Sequence, residues 1–74
     1  MALEAILNRK DVYRVVLEEY PEGVYILAYD TPTSDGPFDD VLQRDWAMAK
    51  RAGFHQYGIT EDMWKEIPDP KFNG

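Results

Sequence analysis

The chain has 74 residues, enough for one domain at most, and a domain this short buries only about 60% of its unfolded surface. Its 14 acids against 8 bases leave a net charge of −6, which argues against binding a phosphate backbone, where a basic footprint is expected. No cysteine is present, so disulfides and thiolate metal sites are excluded and a reducing cytoplasm fits.

Hydrophobic residues make up 45% of the chain and aromatics 14%, enough to predict a folded core rather than disorder. No apolar run approaches the ~18 residues of a membrane span. Residues 1–7 are too short and too acidic for a signal peptide. The expectation is a soluble cytoplasmic protein of one domain, with residues 1–11 as an N-terminal arm, 12–67 as core and 68–74 as tail.

Leu3, Ile6 and Leu7 fall at i, i+3 and i+4, which fits a short helix over 2–9. The same residues also fit an extended segment pairing beside a hairpin, and both arrangements stay open. Asn8-Arg9-Lys10-Asp11 is a polar break.

Val12–Leu17 and Val24–Tyr29 are rich in β-branched and aromatic residues and flank Pro21-Glu22-Gly23, which predicts a β-hairpin. Pro21 presets φ and Gly23 can take φ > 0, as a three-residue loop with a bulge requires. Tyr20 then lies opposite Val24. One face carries Glu18/Ile26, Val16/Ala28 and Arg14/Asp30; the other carries Glu19/Tyr25, Leu17/Leu27 and Val15/Tyr29. The second is the more apolar and is expected under the helix. The first still shows Val16, Val24, Ile26 and Ala28, more than a solvated face usually carries. A cover is expected there: the N-terminal segment, the tail or a second copy of the chain.

Residues 30–39, DTPTSDGPFD, form a loop by composition. A helix is predicted over 40–52, capped by Asp40 with Gln43 three residues on, or by Asp39. Gly53 would end it. Leu42, Trp46 and Ala49 recur at i, i+4 and i+7 and form its buried stripe. Beyond it, Thr60 with Glu61 and Asp62 signals the start of a single turn. Phe54, Tyr57, Ile59 and Trp64 are expected to pin the return path to the sheet. Lys65-Glu66-Ile67 is a candidate third strand, and residues 69–74 are a tail whose one apolar contact is Phe72.

The hairpin ending in Tyr29-Asp30, the Pro/acid loop, Leu42-Gln43, Ala49-Lys50, Tyr57-Gly58-Ile59 and Trp64 together resemble a family of small, uncharacterised bacterial domains. The likeness covers about residues 12–67 and implies a fold but no activity.

Chemistry-bearing signals are sparse. His55 is the sole histidine, and a metal site built on it would need carboxylate partners brought in by the fold. Asp30, Asp35, Asp39 and Asp40 suggest calcium, but placing Gly36 at the sixth position of an EF-hand loop puts Thr31 first and Leu42 twelfth, where acids are required. Ser34 lacks a nucleophile-elbow setting. Neither a phosphate-binding loop nor a dinucleotide fingerprint occurs. The expectation is therefore no enzyme, no catalytic residue, no cofactor and no metal. Five tyrosines and two tryptophans exceed what so small a core can bury, and surface aromatics favour protein contact.

The expected fold is α+β, a β-hairpin, or a three-stranded antiparallel sheet that extends it, packed against one main helix. The leading functional expectation is a protein-interaction module for a protein partner or a second copy of itself, without nucleic acid or membrane. Its candidate surface is Tyr20, Val24, Ile26, Asp35, Asp39, Asp40 and His55. Two alternatives stand beside it: an acidic inhibitor that mimics nucleic acid or caps a basic site, and a small-ligand or cation sensor.

Overall fold

The computed structural model describes residues 2–33 and 35–68. Ser34 and the expected tail over 69–74, Phe72 included, lie outside the described residues. The fold is α+β. Strands β1 (Ala2–Ile6), β2 (Arg14–Tyr20), β3 (Gly23–Tyr29), β4 (Asp39–Gln43) and β5 (Lys65–Ile67) form one antiparallel sheet in the order β4-β3-β2-β1-β5. Helix α1 (Trp46–Tyr57) packs on one face, and a single 3₁₀ turn (Glu61–Met63) leads into β5. Among the described residues, no helix is long and apolar enough to cross a membrane.

The N-terminal segment takes the extended alternative. Ala2 and Ala5 are fully buried, and β1 pairs along its whole length with β2. Asn8, at φ 53, turns the chain between the two strands; asparagine tolerates that left-handed conformation better than most residues.

The β2–β3 hairpin forms where expected, but one residue out of the predicted register. Tyr20 pairs with Gly23, not Val24, so the loop is the two residues Pro21-Glu22. Gly23 keeps its positive φ, 149°, yet joins the ladder instead of bulging from it. The slip changes every partner and splits the pairs assigned to one face. Leu17 now faces Ile26, Val15 faces Ala28, Val16 faces Leu27 and Arg14 faces Tyr29. The expected Arg14/Asp30 pair does not form across the hairpin; Arg14 is bonded instead to Glu4 on β1, at 3.0 Å.

The predicted helix over 40–52 is corrected at both ends. Residues 39–43 are strand β4, paired with Val24–Ala28 of β3, so neither Asp39 nor Asp40 is a cap. The helix starts at Trp46, and Asp45 caps it by accepting a 2.9 Å bond from the Met48 N–H. Such a cap contributes about 1 kcal/mol. Gly53 does not end the helix but lies buried within it. A Cβ there would come 3.2 Å from Cζ2 of Trp64, so the glycine, which costs the helix about 1 kcal/mol, makes room for the indole. The true terminator is Gly58 at φ 71, whose N–H bonds back to the carbonyls of Gly53 and Phe54.

The core lies between α1 and one sheet face. Ala5, Val15, Leu17, Val24, Ile26 and Ala28 meet Ala49 of the helix and Ile59 beyond it, with Trp46 and Trp64 half-buried at the margin. Ala49 is fully buried, and its small side chain brings the helix close to the strands. Of the predicted helix stripe, Ala49 is core, Trp46 is partly so, and Leu42 sits exposed on β4.

Candidate functional site

Strand alternation and the observed pairing place a second set of side chains on the sheet face opposite α1. Across it, Arg14 is paired with Tyr29, Val16 with Leu27 and Glu4, Glu18 with Tyr25 and Ala2, and Tyr25 and Leu27 with Leu42 and Asp40. The face combines tyrosines with acids.

Each tyrosine ring there is held by a particular neighbour. The Tyr20 hydroxyl donates a hydrogen bond to Glu18 Oε1. Glu18 is the buried charged residue of the sheet, 3% exposed, so this donor satisfies a group that would otherwise be costly to bury. The Tyr25 hydroxyl donates to Glu22 Oε2 at 3.3 Å. The rings of Tyr20 and Tyr25 stand perpendicular, with centroids 5.2 Å apart, the edge-to-face geometry favoured by ring quadrupoles. Farther along the face, the Arg14 guanidinium lies 4.0 Å above the Tyr29 ring while it pairs with Glu4.

Beside the Tyr20–Tyr25 ring pair opens a cavity of about 260 Å³, lined by Tyr20, Glu22, Tyr25, Leu27 and Asp40. Its charge is one-signed. Arg14 is already engaged by Glu4 and Tyr29, and among the described residues Glu22 and Asp40 make no ion pair. Partial burial raises the Tyr25 phenol above its ordinary 10.0, and Glu22 and then Asp40 push it the same way. Burial likewise raises Tyr29, with Arg14 opposing and Glu18 adding to the rise. Burial raises Tyr57 too, reinforced by Asp39 and Asp11.

These shifts predict an alkaline limit. The folded chain holds the three phenolic protons more tightly than the unfolded chain does, so stability from this source is intact below pH 10 and is lost as pH climbs through the raised folded values. Tyrosinate absorbance followed with circular dichroism is expected to show part of the phenols titrating above pH 10 and stability declining over the same range. Five phenols titrating together at the ordinary value, with stability flat, would contradict it.

A larger hollow of about 410 Å³ lies on the helix side, lined by Lys50, Arg51, Phe54, Ile59, Thr60, Glu61 and Trp64. Its lysine is already bonded to Glu61 at 2.8 Å, and Arg51 leaves the lining with one cation in excess. Volume favours this hollow; paired tyrosine rings and a lining whose charges are all negative favour the smaller one for a basic ligand.

The structure does not gather the predicted surface residues into one patch. Tyr20 and Asp40 both line the cavity. Val24 and Ile26, expected on an open face, are 1% and 2% exposed and lie in the core under the helix, a direct result of the register slip. Asp39 points to the helix side of β4, paired with Ala28. Asp35 is exposed in the loop, and His55 is exposed near the helix end, edge-on to Phe54 at 5.7 Å. Among the described residues, no three of His, Asp and Glu are grouped so as to hold a metal ion. The sequence presents Glu22 only as a turn residue, so it is absent from the predicted surface. Its place one residue before the strand that carries Tyr25 was the available signal.

No family model, curated protein or solved structure matches this chain.

Proposed function

We propose that the protein is a small non-enzymatic interaction module that docks a basic segment of a partner protein on the sheet face opposite α1. The observation that carries this is the cavity where two ordered tyrosine rings meet two carboxylates with no cation among the described residues that line it. Aromatic rings supply contact area at low entropic cost, and the net charge of −6 steers basic partners toward the molecule. An acidic protein that caps a basic site uses the same chemistry, with a folded domain in place of a peptide.

The test is a titration of isotope-labelled protein with lysine-rich, arginine-rich and glutamate-rich peptides, read by amide NMR. Basic peptides are expected to move residues of β2, β3 and β4 and to weaken steeply with added salt. Movement confined to the helix side, or equal response to the acidic peptide, would refute the proposal.

Self-association through β4 is a second reading. That strand ends the sheet, and Val41, Leu42 and neighbouring Phe38 are 36%, 44% and 52% exposed, although Asp39 and Asp40 are of the kind that protects an edge. Sedimentation at tens of micromolar separates the two: a monomer throughout removes self-pairing and leaves the first reading intact.

A further inference from the structure

We infer that the Tyr20–Tyr25 cavity is a receptor for a single alkylammonium head group, the side chain of a lysine and above all of an N-methylated lysine. The inference rests on the docking reading and makes it specific.

Size sets the scale of the ligand. Sites for whole small molecules start near ~300 Å³, so about 260 Å³ in an open hollow suits one side chain and not a cofactor. Charge sets its sign. Glu22 and Asp40 stand at the walls, and among the described residues the lining holds no cation. Of the cations this face carries, Arg14 is held by Glu4 and Tyr29, and Lys65 lies on β5, three strands away from β3.

Ring geometry selects between cations. Two ring planes at 89° form a corner. A compact, nearly spherical ammonium can touch both walls of a corner, whereas a flat guanidinium stacks on one plane at a time. Methylation enlarges the head, weakens its hydration and spreads its charge over carbons that pack on rings, the principle of aromatic cages for quaternary ammonium. Both hydroxyls are turned to carboxyls, Tyr20 to Glu18 and Tyr25 to Glu22, which orients the rings before a ligand arrives. Leu27 supplies an apolar lining for the methylene stem.

The experiment uses four capped tripeptides, glycine on either side of lysine, trimethyl-lysine, arginine or norleucine, titrated into the full chain by NMR. Trimethyl-lysine is expected to bind tightest and to move Tyr20, Glu22, Tyr25, Leu27 and Asp40. It should also draw the Tyr25 titration downward, because a bound cation opposes Glu22 and Asp40. Tyr25→Leu is expected to weaken binding about tenfold. Asp40→Asn, an exposed change that leaves the sheet intact, is expected to weaken it about threefold and to flatten its salt dependence. Equal binding of the norleucine peptide overturns the inference, since the hollow would then be merely apolar. Arginine binding as tightly as trimethyl-lysine overturns it as well. Basic peptides that move the sheet face but spare the cavity residues sink the ammonium site alone; silence across the whole face removes the docking reading with it.

Discussion

Gly23→Ala is expected to destabilise the protein by about 3 kcal/mol or more, the most damaging single methyl the hairpin can receive. A residue with φ 149 is in a region that L side chains rarely adopt, and such strain costs about 1–3 kcal/mol. Steric conflict adds to it. The new Cβ would sit 2.3 Å from the backbone oxygen of Gln43 and 3.1 Å from Cδ1 of Leu42. A leucine methyl can swing away, but the carbonyl cannot without moving β4. Gln43 is held by its pairing with Val24 on one side, and two residues later Asp45 caps α1. The substitution therefore strains the hairpin, the edge strand and the helix start together. Gly36→Ala is the control, because nothing lies within 4 Å of a Cβ at that position. Urea midpoints for the two variants decide the matter, and equal midpoints would show that β4 does not approach the hairpin this closely.

The same glycine marks where the fold was legible in the sequence and where it was not. Two β-branched segments around Pro-Glu-Gly predict a hairpin correctly, because strand propensity and turn chemistry are both local. Its register depends on whether Gly23 belongs to the loop or to the ladder, and β4 contributes to that choice from outside the hairpin by packing against the glycine. Residues 39–43 show the same limit. Leu42, Trp46 and Ala49 have helical spacing, and Asp39 and Asp40 look like caps, but the free edge of β3 recruits residues 39–43 as a strand. Asp45 then supplies the cap, the same residue type a turn later. Gly53 reads as a stop signal because its partner, Trp64, is eleven residues away and its packing has no local trace. Of the site, Tyr20 and Asp40 were recognisable as surface residues. That Tyr20, Glu22 and Tyr25 converge with Asp40 requires the two-residue turn and the β3–β4 pairing.

Leu17→Ala is expected to cost ~2–5 kcal/mol, the range for emptying a fully buried leucine site, and Leu27→Ala is expected to cost clearly less. In a register with Tyr20 opposite Val24 the two leucines would be cross-strand partners on one face and would respond alike. In the observed sheet Leu17 faces Ile26, beneath the helix, while Leu27 faces Val16 and stays half-buried on the side with the tyrosine cavity. Their side chains share no face, so the double variant should be additive within about 0.5 kcal/mol. Matched losses, or a strong coupling between them, would restore the shifted register and dissolve the cavity with it. A small, additive loss at Leu27 has a functional consequence: it deepens the hollow beside Tyr25 without unfolding the chain. Leu27→Ala should therefore favour a bulkier methylated ammonium over plain lysine, linking the packing of the hairpin to the preference of the site it builds.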